Sequence, residues 1–336
     1  RVSSQSWKRA MREMFGSKLD SSKMGKRTKS AVALISNAIA EKRLDLAEEA
    51  NNLAEKVLTA TGVKVKASDR AGADKGSAAT EYLIFIANRE VEQLADIAIA
   101  AFDEGKDPSK LKKEVAAVFH GKQAIDIACF GRMLADAPDL NTDASAQVAH
   151  AFSIDQITPE YDYFTAVDDC ASDDNAGAAM IDTVGFNSST LYRYATLNVD
   201  ALRDQLQDAD AMVEGVSAFV EAFVKSMPSG KQNTFANHTL PEDIVIVLRD
   251  SQPISAADAF ENPIKRKDGI SVSRQGIERL GDRLNEIRIN YGEEPVKAWH
   301  VVSGGSVPSL DEWSEQVTLP ELEQSLRETL SAAYSA

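Results

Sequence analysis

The 336-residue sequence has two cysteines, Cys129 and Cys170, and four histidines, His120, His150, His238 and His300. Two thiols in a chain of this length exclude a disulfide framework and fit a reduced, cytoplasmic setting. The histidines are far apart and form no H-x-x-x-H; the cysteines form no C-x-x-C. Metal-binding spacing is therefore missing. G-x-S-x-G, G-x-G-x-x-G and G-x-x-x-x-G-K-[ST] are missing too, so neither a nucleophile elbow nor a nucleotide-phosphate loop is present. Apolar runs such as YLIFIA fall far short of the roughly 20 residues that cross a bilayer. No signal peptide opens the chain. These absences favour a binding or scaffolding protein without cofactor or membrane partner over an enzyme, although active sites can be built from scattered residues.

What is present is an uneven charge. The formal net charge is −15, which argues against a nucleic-acid partner for the chain as a whole. Residues 1–30, however, hold nine Lys and Arg against Glu13 and Asp20. Such polarity suits a local site for a polyanion on an otherwise acidic surface; a merely solvated basic terminus is the plainer alternative. Residues 6–15 read as a helix that Ser3, Ser4 or Ser6 can cap. Trp7, Met11 and Met14 form its apolar stripe. Lys8 with Arg12 and Gln5 with Arg9 share other faces at i, i+4. Cations, amides, hydroxyls and free N–H groups together are the equipment that holds a phosphate.

Residues 28–60 and 80–128 are Ala-rich with helical periodicity, and ASDRAGADKGSAAT between them reads as a loop. Asp107-Pro108-Ser109 opens a further helix through Phe119. From Gly131 the texture changes. Strands are expected at 145–154, 186–199, 243–249 and 296–302, and helices over 203–227, 272–290 and 310–333. The alternation predicts an α+β fold with a small sheet.

Residues 155–185 form a connection of about 30 residues, too long for an idle loop in a compact domain. Tyr161, Tyr163, Phe164 and Val167 in its first part fit an extended arm inserting apolar groups into something, or a hairpin folded onto its own core. DDCASDDN (168–175) fails EF-hand spacing and reads as a solvated acidic loop more readily than as a metal site. SGKQNT (229–234) is a turn that can offer N–H groups and a cation to a phosphate.

Several segments taken together resemble one family. They are SSQSWKRAMR near the start, GRM (131–133), QVAHAFS (147–153), YDYFTAVDD (161–169), FNSSTLYRYA (186–195) and GKQNTFA (230–236). In this order they are similar to the CasC-type backbone subunit of the type I-E CRISPR surveillance complex, Cascade. The resemblance implies an RRM-like (ferredoxin-like) palm over 1–25 and 131–336. It implies a helical fingers insertion over 26–130 and a long thumb hairpin over 155–185. It also implies a strand and basic segment upstream of Arg1. Copies of such a subunit stack along CRISPR RNA, and each thumb kinks the guide at a regular interval and displaces one base. The expected partners are CRISPR RNA, the target DNA strand paired to it, further copies of the chain, other Cascade subunits and a recruited helicase-nuclease. The subunit itself is not an enzyme.

Carried over by position, the resemblance assigns Ser3, Gln5, Lys8, Arg9 and Arg12 to the RNA backbone and Met133 to the kink. Tyr163, Phe164, Thr165 and Val167 fall to the thumb at the displaced base. Lys231, Gln232 and Asn233 make a second backbone contact. These side-chain types fit a guide holder, which must read phosphate and shape rather than bases and needs apolar wedges to break stacking. Tyr192 and Tyr194 are expected to pack in the sheet rather than stack on bases. Two alternatives stand beside this reading. One is a metal-dependent endoribonuclease subunit of a type III-like complex, resting on the DDCASDDN acids. The other is a helical interaction protein with no nucleic acid.

Overall fold

A computed structural model describes residues 1–67, 78–166 and 180–334. The elements run α1 (Ser4–Lys18), β1 (Gly25–Thr28), α2 (Ala31–Lys42), α3 (Ala50–Thr59), β2 (Val65–Ala67), β3 (Ala78–Thr80), β4 (Ile84–Ala87), α4 (Asn88–Asp103), α5 (Lys112–His120) and α6 (Ile125–Phe130). They continue with β5 (Ala146–Val148), β6 (Phe152–Ser153), β7 (Glu160–Ala166), β8 (Met180–Phe186), β9 (Leu191–Tyr192) and β10 (Ala195–Leu197). Then come α7 (Val199–Leu206), α8 (Ala209–Lys225), α9 (Gln232–Phe235), β11 (Asp243–Leu248), α10 (Val272–Tyr291), β12 (Lys297–Val302), α11 (Pro308–Asp311), β13 (Glu315–Gln316) and α12 (Leu319–Tyr334). The fold is α+β with small sheets, as expected. The chain divides into two compact units.

The larger unit comprises Gln5–Val148, Ala195–Leu240 and Pro320–Ala336. Its core is helical: Ile35 and Ile39 of α2, Leu53 and Val57 of α3, Leu94 of α4 and Val115 of α5 pack together. The region read from sequence as wholly helical also holds strands. YLIFIA is not the start of a helix, because Ile84, Phe85, Ile86 and Ala87 are buried and pair antiparallel with β1. A β-branched and aromatic run covered on every side is satisfied by a strand, and periodicity alone does not separate the two cases. The helix expected over 203–227 is two helices. Gln207 ends α7 in the left-handed conformation (φ 50°), and Asp208 starts α8 by accepting the Ala211 N–H.

The smaller unit comprises Arg1–Ser4, Ala149–Tyr194 and Pro241–Leu319. β11 and β12 pair antiparallel from Asp243↔Val302 to Leu248↔Lys297, and β13 adds in parallel to β12. Ile277 and Leu284 of α10 pack against Val245 and Val302 of this sheet with Val307 and Leu310. Gly276 lets α10 lie close, since a Cβ there would stand 2.5 Å from Ile154 Cδ1. Tyr192 packs its ring against Phe152 and Phe260, each at 5.3 Å between centroids, which is the sheet-packing role expected for it. The expected strand over 145–154 is broken, with β5 pairing β10 and β6 pairing β9. The helix expected over 310–333 is likewise interrupted by β13.

Within 155–185, β7 and β8 form an antiparallel ribbon from Glu160↔Phe186 to Ala166↔Met180. It is not folded onto a core. One face is open to solvent, with Tyr161 73%, Tyr163 64% and Ile181 59% exposed, while Phe164 and Val184 on the other are half-buried.

Candidate nucleic-acid interface

Helix α1 buries Trp7, Met11 and Phe15 completely or nearly so, while Met14 is half-buried. The stripe is thus i, i+4, i+8. Phe15 meets Phe130 of α6 at 5.7 Å between ring centroids. This packing turns the opposite side outward. Gln5 and Arg9 are exposed, and Lys8 is half-buried with no carboxylate partner among the described residues. Arg9 pairs with Glu13 at 2.8 Å. Exposed i,i+4 pairs of this kind are worth only ~0.3–0.5 kcal/mol, so Arg9 is easily recruited elsewhere.

Arg12 is held differently. Its guanidinium lies 4.3 Å from the Phe85 ring centroid and 3.5 Å from Asp126 Oδ2, and burial lowers its pKa. Asp126 has no exposed side-chain surface and accepts the Gly25 N–H at 2.9 Å; burial raises its pKa to about 6 despite Arg12. Arg12 therefore ties α1 to β1, β4 and α6. Arg27 of β1 stands over the same Phe85 ring at 5.4 Å. Other cations of the basic segment are also engaged: Lys18 bonds Glu221 at 2.8 Å, and Lys23 pairs with Glu214, both acids on α8. Lys26 and Lys29 join Lys8 in having no carboxylate partner among the described residues.

In the smaller unit, Ser3 is exposed, and the flanking backbone is fixed by the Val2↔Ala151 bridge. The Ser4 N–H donates to His150 Nδ1 at 2.8 Å, a role for His150 that no sequence pattern signals.

Met133 is 78% exposed. Its neighbour Arg132 is 2% exposed, and the same chain turn makes both facts possible. Gly131 adopts φ 77°, where any Cβ would be strained and would also press within 3.0 Å of the Thr142 carbonyl. Arg132 then drives inward. Its Nη1 donates to both Glu90 oxygens at 2.6 and 2.8 Å, Nη2 to the Phe119 carbonyl at 3.0 Å and Nε to the Leu140 carbonyl at 3.3 Å. Its Cζ also lies 4.9 Å from the Phe119 ring centroid. Glu90 takes the Ala87 N–H at the start of α4. On the far side, the Leu134 N–H donates to Asn141 Oδ1 at 2.6 Å. Met133 is thus an apolar tip fixed on both sides.

Tyr163, Phe164 and Thr165 sit on β7 opposite Thr183, Asp182 and Ile181. Alternation puts Tyr161, Tyr163 and Thr165 on one face and Phe164 on the other. Val167 and the DDCASDDN acids lie outside the described residues. Lys231 and Asn233 are exposed and Gln232 half-buried; Lys231 is left-handed (φ 64°), and its carbonyl accepts the Phe235 N–H. Among the described residues no three His, Cys, Asp or Glu could hold a metal ion, and no helix is long and apolar enough to cross a membrane. Cys129 is buried, which pushes its thiol pKa up.

An α+β chain with a basic helix, a fixed apolar tip and a bare ribbon matches solved subunits of one class. It aligns with a chain of a "CRISPR RNA-guided surveillance complex, pre-nicking" at TM-score 0.82 and 28% identity, covering 98% of this chain and 90% of that one. A chain of a "CRISPR RNA-guided surveillance complex" aligns at TM-score 0.71 and 25% identity, covering 98% and 89%. The sequence matches the family described as CT1975-like protein over residues 1–325, and the chain belongs to that family. The likeness to CasC-type subunits of Cascade read from the sequence is borne out. No curated protein matches it.

Proposed function

We propose that the chain is a non-catalytic backbone subunit of a type I-E-like surveillance complex in the cytoplasm. Copies of it polymerise along CRISPR RNA and present the guide for pairing with target DNA. Other Cascade subunits complete the assembly, and a recruited helicase-nuclease does the cutting. The expected RRM-like palm, fingers and thumb describe this use of the fold, with β7–β8 as the thumb.

The observation that carries the reading is that, among the exposed large apolar side chains of a strongly acidic chain, Met133 and the ribbon's Tyr161 and Tyr163 stand within the segments that carry the resemblance. Exposed apolar tips on a chain that also carries unpaired cations fit a guide whose backbone is gripped and whose stacking is interrupted. Ser3, Gln5, Lys8 and Arg9 grip the sugar-phosphate backbone, and Lys231 to Asn233 add a second contact. Arg12 serves by fixing the pose of α1 as much as by charge. Met133 packs at the kink, and Tyr163, Phe164, Thr165 and Val167 occupy the place of the displaced base.

The test is purification from a cell transcribing a CRISPR array, followed by extraction and sizing of the bound nucleic acid. A uniform short RNA with many copies of this chain and a few partner proteins is expected. A nucleic-acid-free monomer, from a preparation containing those partners, would remove the reading. Lys8→Ala is expected to weaken RNA binding for all guide sequences alike and to reduce the salt slope by about 1.

A further inference from the structure

We propose that the smaller unit carries a separate phosphodiester-binding site, in an open hollow of about 390 Å³ lined by Ser188–Thr190 and by Arg266 and Lys267, with Lys265 next to them in sequence. It shares no residue with the contacts assigned above.

Both walls hang on one backbone residue. The Ile154 N–H donates to the Thr190 carbonyl at 2.9 Å, and the Ile154 carbonyl accepts the Ile264 N–H at 2.8 Å. The position of the basic loop relative to the hydroxyl row is therefore set by main-chain bonds, not by side-chain chance. Lys265, Arg266 and Lys267 are exposed, and none has a carboxylate partner among the described residues. Three consecutive uncompensated cations stand out on a chain of net charge −15, since elsewhere cations such as Lys18, Lys23 and Arg43 are paired. From Ile264 to Ile277 the sequence holds a single acid, Asp268.

The opposite wall supplies hydroxyls. Ser188 and Ser189 line the hollow with Ser271 and Ser273, whose Oγ atoms are 3.0 Å apart. The carboxylate in the lining, Asp155, is 9% exposed and turned to the protein: its Oδ1 accepts the Thr190 N–H at 3.2 Å and lies 2.9 Å from Ser153 Oγ. Ser271 also caps α10 through the Arg274 N–H, so the positive end of a 20-residue helix adds to the field of the three cations. Cations with hydroxyls and no aromatic face suit a phosphate and its sugar, not a base. The polymer can be the guide RNA or a strand of the target DNA.

The test uses the full chain with labelled single-stranded RNA and DNA oligonucleotides of one sequence, titrated at several salt concentrations. Lys265→Ala/Arg266→Ala/Lys267→Ala is expected to weaken binding about tenfold or more and to reduce the salt slope by ~2. Ser188→Asp, an exposed change that leaves the loop intact, is expected to weaken binding in the same direction. Loss with RNA alone assigns the hollow to the guide, and loss with DNA alone assigns it to the target. Loss with both assigns it to any phosphodiester. Unchanged affinity and slope for both polymers in both variants, with unchanged melting, would overturn the proposal. Guide RNA retained in the assembled complex of the triple variant keeps this result distinct from failure of the guide-holding reading.

Discussion

Met133 and the β7–β8 ribbon both hold apolar side chains out in water, and they do so by opposite means. Met133 is stiffened from behind, by a buried arginine with a carboxylate, two carbonyls and a ring around it. The ribbon has no buried ion pair behind it among the described residues and is held chiefly by its cross-strand pairing. An isolated two-stranded ribbon is marginal in water. The order of Met133 is therefore a property of the folded chain, and the order of the ribbon depends on what it meets. A tip that must break stacking at a fixed place suits the first construction; an arm that must reach and adapt suits the second.

The largest expected effect comes from cutting the backing of Met133. Arg132→Ala leaves Glu90 buried without its counter-charge, a change that costs ~3–5 kcal/mol. A urea midpoint within 1 kcal/mol of wild type would show that the buried pair does not hold the tip.

A buried charge with no counter-charge sharpens the contrast. Asp243 of β11 is half-buried as a residue with both carboxylate oxygens covered, and it forms no ion pair among the described residues; burial raises its pKa to about 7, and the Ile244 N–H opposes this only in part. Its folded pKa lies above the ordinary aspartate value. Its neutral form therefore favours folding at acid pH; this contribution is full below the ordinary aspartate pKa of 3.8 and is lost progressively as pH rises from there through about 7. Asp243→Asn is expected to raise stability by ~1–3 kcal/mol at pH 8 and by little near pH 3.5, with the gain growing between the two. Equal gains at the two pH values would show that ionisation of Asp243 is not the cause. Removing one member of a partnered buried charge should thus destabilise, and neutralising a solitary one should stabilise.

The smallest effects belong to the exposed tips themselves. Met133→Ser and Tyr163→Ser are each expected to shift stability by less than about 0.5 kcal/mol. A larger loss for Tyr163→Ser, read from the urea midpoint, would mean that the ribbon packs on the body of the protein.

Much of this was legible in the sequence, and the exceptions share a cause. Trp7 and Met11 announce the buried face of α1 by spacing alone, and Asp107-Pro108 announces a helical turn. The packing of Tyr192 agrees with what the family resemblance implies. Arg132, by contrast, reads as one more surface cation between Gly131 and Met133, because its partner Glu90 lies 42 residues away. The same distance effect hides how much of the basic segment is engaged: Lys18 and Lys23 look free until α8, nearly two hundred residues later, brings Glu221 and Glu214 to them. For the ribbon, composition names the aromatics but not whether they turn inward. The KRK run at 265–267 carries no meaning in the sequence, because its relation to the serines is set only by the main-chain bonds of Ile154.

The ribbon has one more consequence. A pair of strands has two free edges, and each presents a row of unpaired N–H and C=O groups that any other extended chain can lengthen. Tyr161, Tyr163 and Ile181 add the apolar surface that makes such growth favourable. Glu160, Asp162 and Asp182 are charges placed in the path of that growth. Until something covers the ribbon, those carboxylates oppose templating by its own copies, and their loss would show first as reduced solubility of newly made chains rather than as altered binding.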